Sequence, residues 1–294
     1  MKIILVTLAA FICTVVDAFT ATTPVSTLLT EHRDQINRLE EIAGKYANAP
    51  TDPIFYLRYC LGDKADEDVE EQLKSTLEWR QGDGADICAS ATAAINLALS
   101  SDTGPWDNAP VRDMAPHASI VNKYITPSQC LTTPTNSGDL CYIIRASRVD
   151  DVALMSEVSV EQMTEFFLYC KEVNFLVANM RSAASDKLAC VVTANDLAGV
   201  KLIGGDATFR KALSASSNKA NELYPNLSGP TFLLNLPKLV RALVKLFTPL
   251  FSAEVRKKLK FEKGPLNNVD ELTELVTDQE KRKLFLSQVD DMLA

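Results

Sequence analysis

Two histidines, seven cysteines and one glycine pair are the residues whose chemistry would single out an activity in this chain. His32 follows the N-terminal leader and His117 lies in a stretch rich in Pro, Asp, Thr and Ser. No GxSxG elbow accompanies either, so both read as solvated or turn histidines rather than general bases. No two cysteines form a CxxC pair, which removes the usual zinc and dithiol patterns. Gly204-Gly205-Asp206 follows Leu202-Ile203 and could cradle a phosphate, but Asp206 is better read as the N-cap of the next helix. Neither GxGxxG nor GxxxxGK[ST] follows any expected strand. The expectation is a protein that is not an enzyme and holds no metal and no dissociable cofactor.

The chemistry is therefore sought in apolar surface. Of 294 residues, 47% are hydrophobic and 23% charged, which is ordinary globular usage. The formal net charge of −8 argues against a nucleic-acid partner, because neutralising phosphates needs a basic surplus. From Pro237 to Lys263 there are eight Lys or Arg and two acids, whereas Asp63 to Asp86 holds three basic and nine acidic residues. Within the basic segment, Lys238, Arg241 and Lys245 form one cationic stripe at helical spacing. Leu239, Val240, Leu243, Val244, Leu246, Phe247, Leu250 and Phe251 cover the remaining arc. A helix apolar over so wide an arc needs an apolar partner on more than one side.

The elements around that helix follow from periodicity and punctuation. Leu28, Leu29, Ile36, Leu39, Ile42 and Tyr46 recur at near-helical spacing, and Asp52 caps a short helix carrying Ile54, Phe55, Leu57 and Tyr59. From Asp66 an acid-led helix turns Val69, Leu73 and Leu77 to one face. Ala85 to Leu99 is a further helix with Ile87, Ala91, Ile95 and Leu99 inward. Ser101 to Thr135 reads as a linker with local turns. Strands follow at Leu140–Ala146, Leu188–Thr193 and Thr231–Leu236. Between them run a helix opened by the Ser159/Gln162 capping box to about Ser182 and one capped by Asp206. Strand alternating with helix predicts right-handed crossovers and a mainly parallel sheet. Asn268 with Glu271 opens a last amphipathic helix. Cys141, Cys170 and Cys190 fall inside apolar elements, so mostly free, buried thiols are expected.

Residues 1–18 read as a signal peptide: one basic residue, an apolar run from Ile3 to Val16, and Val16-Asp17-Ala18 at the cleavage site. Phe19 to Thr30 is free of charge and crowded with Thr. A signal peptide cut before Phe, then a hydroxyl-rich stretch, resembles the two-part plastid presequences of algae with secondary plastids. Entry into the secretory pathway is expected, with that plastid as destination and plain secretion as the alternative.

The segment Phe55 to Arg80 (FYLRYCLGDKADEDVEEQLKSTLEWR) resembles the N-terminal helical module of CRAL-TRIO lipid-binding proteins, phosphatidylinositol-transfer-like members included. Leu140 to Arg145 resembles the first sheet strand of that family, and Asp196-Leu197-Ala198-Gly199 its D-L-x-G turn. Tyr224-Pro225-Asn226 is similar to Y-P-E, Leu233 to Pro237 to I-I-N-A-P, and Leu243 to Leu259 to the gate helix and the helix after it. The resemblance implies an α/β fold with a helical module at 46–105, a CRAL-TRIO domain at 115–263 and a C-terminal helix at 264–294, after the leader and a transit segment or leading helix at 19–45. The domain would hold one lipid or isoprenoid-type ligand in a hydrophobic pocket between a mainly parallel sheet, flanking helices and a lid helix. Val240, Leu243, Leu246, Phe247, Leu250 and Phe251 would touch the ligand. Lys245, Arg256, Lys257 and Lys258 would dock on a membrane surface. Thr248 and Asn226 stand where inositol-lipid carriers place Lys and Glu, which implies weak phosphatidylinositol transfer. An enzyme on an α/β scaffold and a protein-interaction adaptor of this shape are the alternatives.

Overall fold

The computed structural model describes residues 23–62, 64–100, 108–125, 130–134, 139–146, 149–197, 205–235 and 259–262. The chain opens with α1 (Val25–Glu31) and α2 (Arg33–Ala43), which bury Val25, Leu28, Ile36, Leu39 and Ala43. α1 is capped from far away in sequence. Val25 N donates to Asp186 O at 2.9 Å, and Ser26 N donates to Asp186 Oδ1 at 2.8 Å. From Val25 onward, the segment expected as transit peptide or leading helix thus belongs to the folded body.

Next come α3 (Pro53–Cys60), α4 (Asp66–Gln81) and α5 (Ala85–Ser100). Pro53 occupies the first turn of α3 and Asp52 Oδ1 accepts from Ile54 N at 2.9 Å. Every residue of α3 from Ile54 to Cys60 is buried, including Arg58, so α3 runs through the middle of the helical layer. α4 turns Val69, Leu73 and Leu77 inward as its spacing predicts, and α5 buries Ile87, Ala91 and Ile95.

The stretch read as a linker is largely structured. It contains α6 (Asn108–Asp113), α7 (Ala118–Tyr124) and β1 (Cys130–Pro134). Helices of six and seven residues are too short to display a period. β1 carries a proline, which is tolerated because the strand lies at the sheet edge.

The sheet has the order β1-β2-β3-β4-β5, with β2 (Leu140–Arg145), β3 (Val191–Asp196), β4 (Ser228–Leu234) and β5 (Leu259–Glu262). β1 is antiparallel to β2, and the other neighbours are parallel, as expected. Between β2 and β3 run α8 (Asp151–Glu157) and α9 (Val160–Ser185); α10 (Ala207–Leu223) joins β3 to β4. Both halves of the capping box form: Gln162 N donates to Ser159 Oγ at 3.2 Å and Ser159 N to Gln162 Oε1 at 2.9 Å. β3 starts three residues later than predicted, since Leu188 and Ala189 belong to the buried approach to the strand. β4 starts three residues earlier, and it includes Gly229. A Cβ there would lie 2.4 Å from Cys190 Sγ, so the close approach of β4 to the Cys190 side chain requires glycine. Leu259 begins a strand, where the sequence places the end of a helix.

Candidate functional site

The residues expected to touch ligand (Val240, Leu243, Leu246, Phe247, Leu250, Phe251) and membrane (Lys245, Arg256, Lys257, Lys258) lie outside the described residues, as does Thr248. What the structure defines is the sheet they connect and the helices packed on it.

The pleat gives this sheet two distinct faces. Leu140 and Val191 are register partners, and both belong to the core shared with the helices. Tyr142 and Ile144, two and four residues on, pack against the same core. This is the helix-bearing face. Register then sets two rows across it. Tyr142, Thr193 and Thr231 form the first, with Leu259 as partner on β5; Ile144, Asn195 and Leu233 form the second, with Phe261. No residue in either row carries a charge. Val192, Ala194, Phe232 and Leu234 alternate with these and are buried apart from the helix-side core, on the opposite face.

The two rows are unevenly covered. Thr231, Asn195 and Leu233 are buried, whereas Tyr142, Ile144 and Thr193 are only partly so despite their place on central strands beneath helices. Asn195 is 1% exposed, and its Oδ1 has no hydrogen-bond partner among the described residues.

The strand ends are tied to the helices that follow them. Asp150 Oδ1 accepts from Ala153 N at 3.0 Å and caps α8. Asp206 caps α10, accepting from Thr208 N at 2.7 Å and Phe209 N at 2.9 Å, and these bonds, led by the Thr208 hydroxyl, hold its carboxyl below the ordinary range. Asp206 N in turn donates to Asp151 Oδ2 at 2.6 Å. Gly205-Asp206 thus serves as a helix entry, as the sequence suggests, while Gly204 lies outside the described residues. Just inside these termini the Phe167 and Phe209 rings of α9 and α10 meet edge to face, 6.0 Å apart and half-buried.

Two of the segments that carry the family resemblance, Phe55–Arg80 and Tyr224–Asn226, meet in a joint with α9. Arg58 is fully buried and donates three hydrogen bonds of 2.7 Å, to Asn179 Oδ1, Asn226 O and Ala189 O. Its guanidinium lies 5.5 Å from the Phe175 ring centre, and burial lowers its pKa to about 10. Asn226 is left-handed at φ 54°, and its Nδ2 donates to the carbonyls of Arg58 at 2.7 Å and Leu61 at 2.6 Å. The position compared with a head-group Glu therefore fastens β4 to α3, and its amide is committed to backbone. Trp79 meets Tyr224 edge to face at 6.5 Å. Arg80 clasps the buried Glu172 with two bonds, Nη1 to Oε2 at 2.9 Å and Nη2 to Oε1 at 2.7 Å. Burial opposes the Arg80 charge, and the Glu172 carboxylate overrides it, holding the guanidinium above its ordinary value.

The potential nucleophiles are quiet. Cys60, Cys88 and Cys190 are free, and burial pushes the Cys60 and Cys88 thiols up to about 12. His117 sits in a left-handed turn ahead of α7 and faces Glu165 Oε2 at 2.8 Å. His32 occupies the turn between α1 and α2. Among the described residues no group of three or more His, Cys, Asp or Glu is placed to hold a metal ion, and no helix is long and apolar enough to cross a membrane.

Sequence reasoning missed Asn195, Glu172 and Asn179. Glu172 and Asn179 were detectable in principle, as polar residues one heptad apart inside the apolar stripe of α9. Asn195 gave no signal, because Thr193 to Asp196 reads as a strand end running into a turn.

Comparison with known proteins gives three results. A family profile described as "CRAL/TRIO domain" matches residues 127–283, more than half of the chain. No curated protein matches it. Among solved structures the chain is similar to one described as "Crystal structure of Sfh5", at 10% identity and a TM-score of 0.41, with 92% of this chain and 98% of that chain covered.

Proposed function

Because the chain belongs to the CRAL/TRIO domain family, whose members bind lipids and other lipophilic small molecules, we propose that it encloses one such molecule against the helix-bearing face of its sheet and carries or presents it between membranes. The observation behind this reading is the partial exposure of Tyr142, Ile144 and Thr193 on central strands beneath helices, in rows that contain apolar and neutral polar groups only. Open space on an interior face, at the carboxyl ends of parallel strands, is where α/β sheets take ligands. The half-buried Phe167 and Phe209 lie at that end of the helices and add aromatic surface.

The segment joining β4 to β5 supplies the roof in this reading, with Val240, Leu243, Leu246, Phe247, Leu250 and Phe251 toward the ligand. Lys245, Arg256, Lys257 and Lys258 meet anionic lipid, at roughly 1 kcal/mol per well-placed cation. Native mass spectrometry of the purified protein is expected to find one apolar small molecule per chain. Thr193→Trp fills the space above the sheet; occupancy should fall at least about tenfold while the melting temperature holds, since the position is only half-buried. An empty wild-type chain, or full occupancy in the variant, overturns the assignment.

The leader reading gains a boundary. We propose that residues 1–18 direct the chain into the secretory pathway, with a secondary plastid as destination. Any further trimming must stop short of Val25, whose N–H and its neighbour Ser26 are anchored on Asp186. N-terminal sequencing of the mature protein should read a start between residues 19 and 24. A start beyond Ser26 contradicts it.

A further inference from the structure

We infer that Asn195 selects the ligand, and that the ligand carries a neutral hydrogen-bond donor, a hydroxyl group, on an otherwise apolar body. The inference rests on the lipid-binding reading above and narrows it to lipid alcohols. Asn195 lies one residue from the end of β3, on the helix-bearing face, between Ile144 on β2 and Leu233 on β4. It is 1% exposed, and its Oδ1 has no partner among the described residues.

An amide oxygen buried without a partner is costly, and such groups are rare enough that each calls for a function. The neighbours in its own row are aliphatic. The next row offers Tyr142, Thr193 and Thr231, so the polar groups of this face cluster on three adjacent strands. An acceptor in such surroundings prefers a donor that arrives without charge. A phosphate or carboxylate brings only acceptors toward Oδ1 and would lose its hydration with no cation in either row to replace it. A hydroxyl satisfies the amide oxygen and leaves the rest of the ligand to the apolar wall. The same logic gives discrimination: a site built around an acceptor rejects the analogue that lacks the donor far better than an apolar pocket rejects an extra group.

The test uses matched pairs that differ only in the hydroxyl hydrogen: phytol with phytyl methyl ether, and dioleoylglycerol with its methyl ether. Each is titrated into delipidated full-length protein. The wild-type chain should bind the better-fitting alcohol about tenfold more tightly than its ether, the effect of satisfying one otherwise orphaned acceptor. Asn195→Leu keeps the branching and removes the acceptor, so it should bind ether at least as well as alcohol. Its melting temperature without ligand should not fall, because the lost group had no partner. Equal affinity for alcohol and ether in the wild-type chain overturns the inference while leaving lipid binding intact, and needs no variant to fold. An undiminished preference for the alcohol in Asn195→Leu also overturns it. Binding of neither member of either pair overturns the lipid-binding reading itself.

Discussion

Arg80→Met is expected to cost about 3–5 kcal/mol of stability, the range for a buried charge stripped of its partner. Glu172 has no exposed side-chain surface, and both its oxygens are taken by the Arg80 guanidinium at 2.7 and 2.9 Å. Removing the cation leaves a buried carboxylate with the neutral Cys88 thiol and Tyr224 hydroxyl as polar neighbours, beside Phe175 one turn along α9 and the Tyr224 ring packed on Phe175 at 5.2 Å. Arg80 also spans two elements, since its guanidinium lies 5.7 Å from the Phe55 ring on α3. The loss should thus loosen the helical layer from α9. The double variant Arg80→Met/Glu172→Leu should regain most of the stability, because exchanging the whole pair for apolar groups of similar volume is close to neutral. Urea unfolding of the two variants measures this as a shift of midpoint at constant slope. A single variant within about 1 kcal/mol of wild type would mean that the pair behaves as a solvated surface contact.

The same joint shows which parts of the structure were legible in the sequence. Devices that act within a few residues were readable: Asp52 before Pro53, the Ser159/Gln162 box and Asp206 all cap the helices they were assigned to. The alternation of strand and helix was likewise enough for a parallel sheet. Partners brought together over long separations were not. Arg58 looks like a surface residue of an amphipathic turn, and only the fold carries it to Asn179 and Asn226, 121 and 168 residues away. Asn226 compared naturally with a head-group acid, because its local sequence says nothing of the left-handed turn that aims its amide at α3. β1 was hidden by Thr and Pro, which suit an edge strand and a loop equally. Asn195 was hidden for another reason: an unpaired acceptor is a property of its surroundings, which no local pattern encodes. In this chain, then, helix starts and the parallel sense of the sheet came from local chemistry. The polar side chains that hold the layers together became visible only in three dimensions.

The largest expected effect on lipid movement belongs to Phe247 and Phe251. They stand four apart, the spacing that would set both on one face of the helix expected there, in a segment whose charges are almost all basic. We expect Phe247→Asp/Phe251→Asp to fold normally and to lose at least about tenfold in vesicle-to-vesicle exchange. Desolvating even one unpaired carboxylate against ligand or bilayer exceeds the roughly 1.4 kcal/mol that a factor of ten represents. The fold survives on this account because that face meets its apolar partner only when ligand is bound or a membrane is near. Liposome flotation on anionic vesicles should drop in parallel, since the aspartates also cancel part of the attraction supplied by Lys245, Arg256, Lys257 and Lys258. Circular dichroism melting separates this outcome from its rival. If the face is permanent core, two buried aspartates destabilise the chain by several kcal/mol and the melting curve collapses with the exchange. Unaltered melting with unaltered exchange would remove the segment from the transfer mechanism altogether. Loss of exchange at constant melting is the result that makes this helix a working surface, because only then does the cost of the charges fall on the transfer step rather than on the fold.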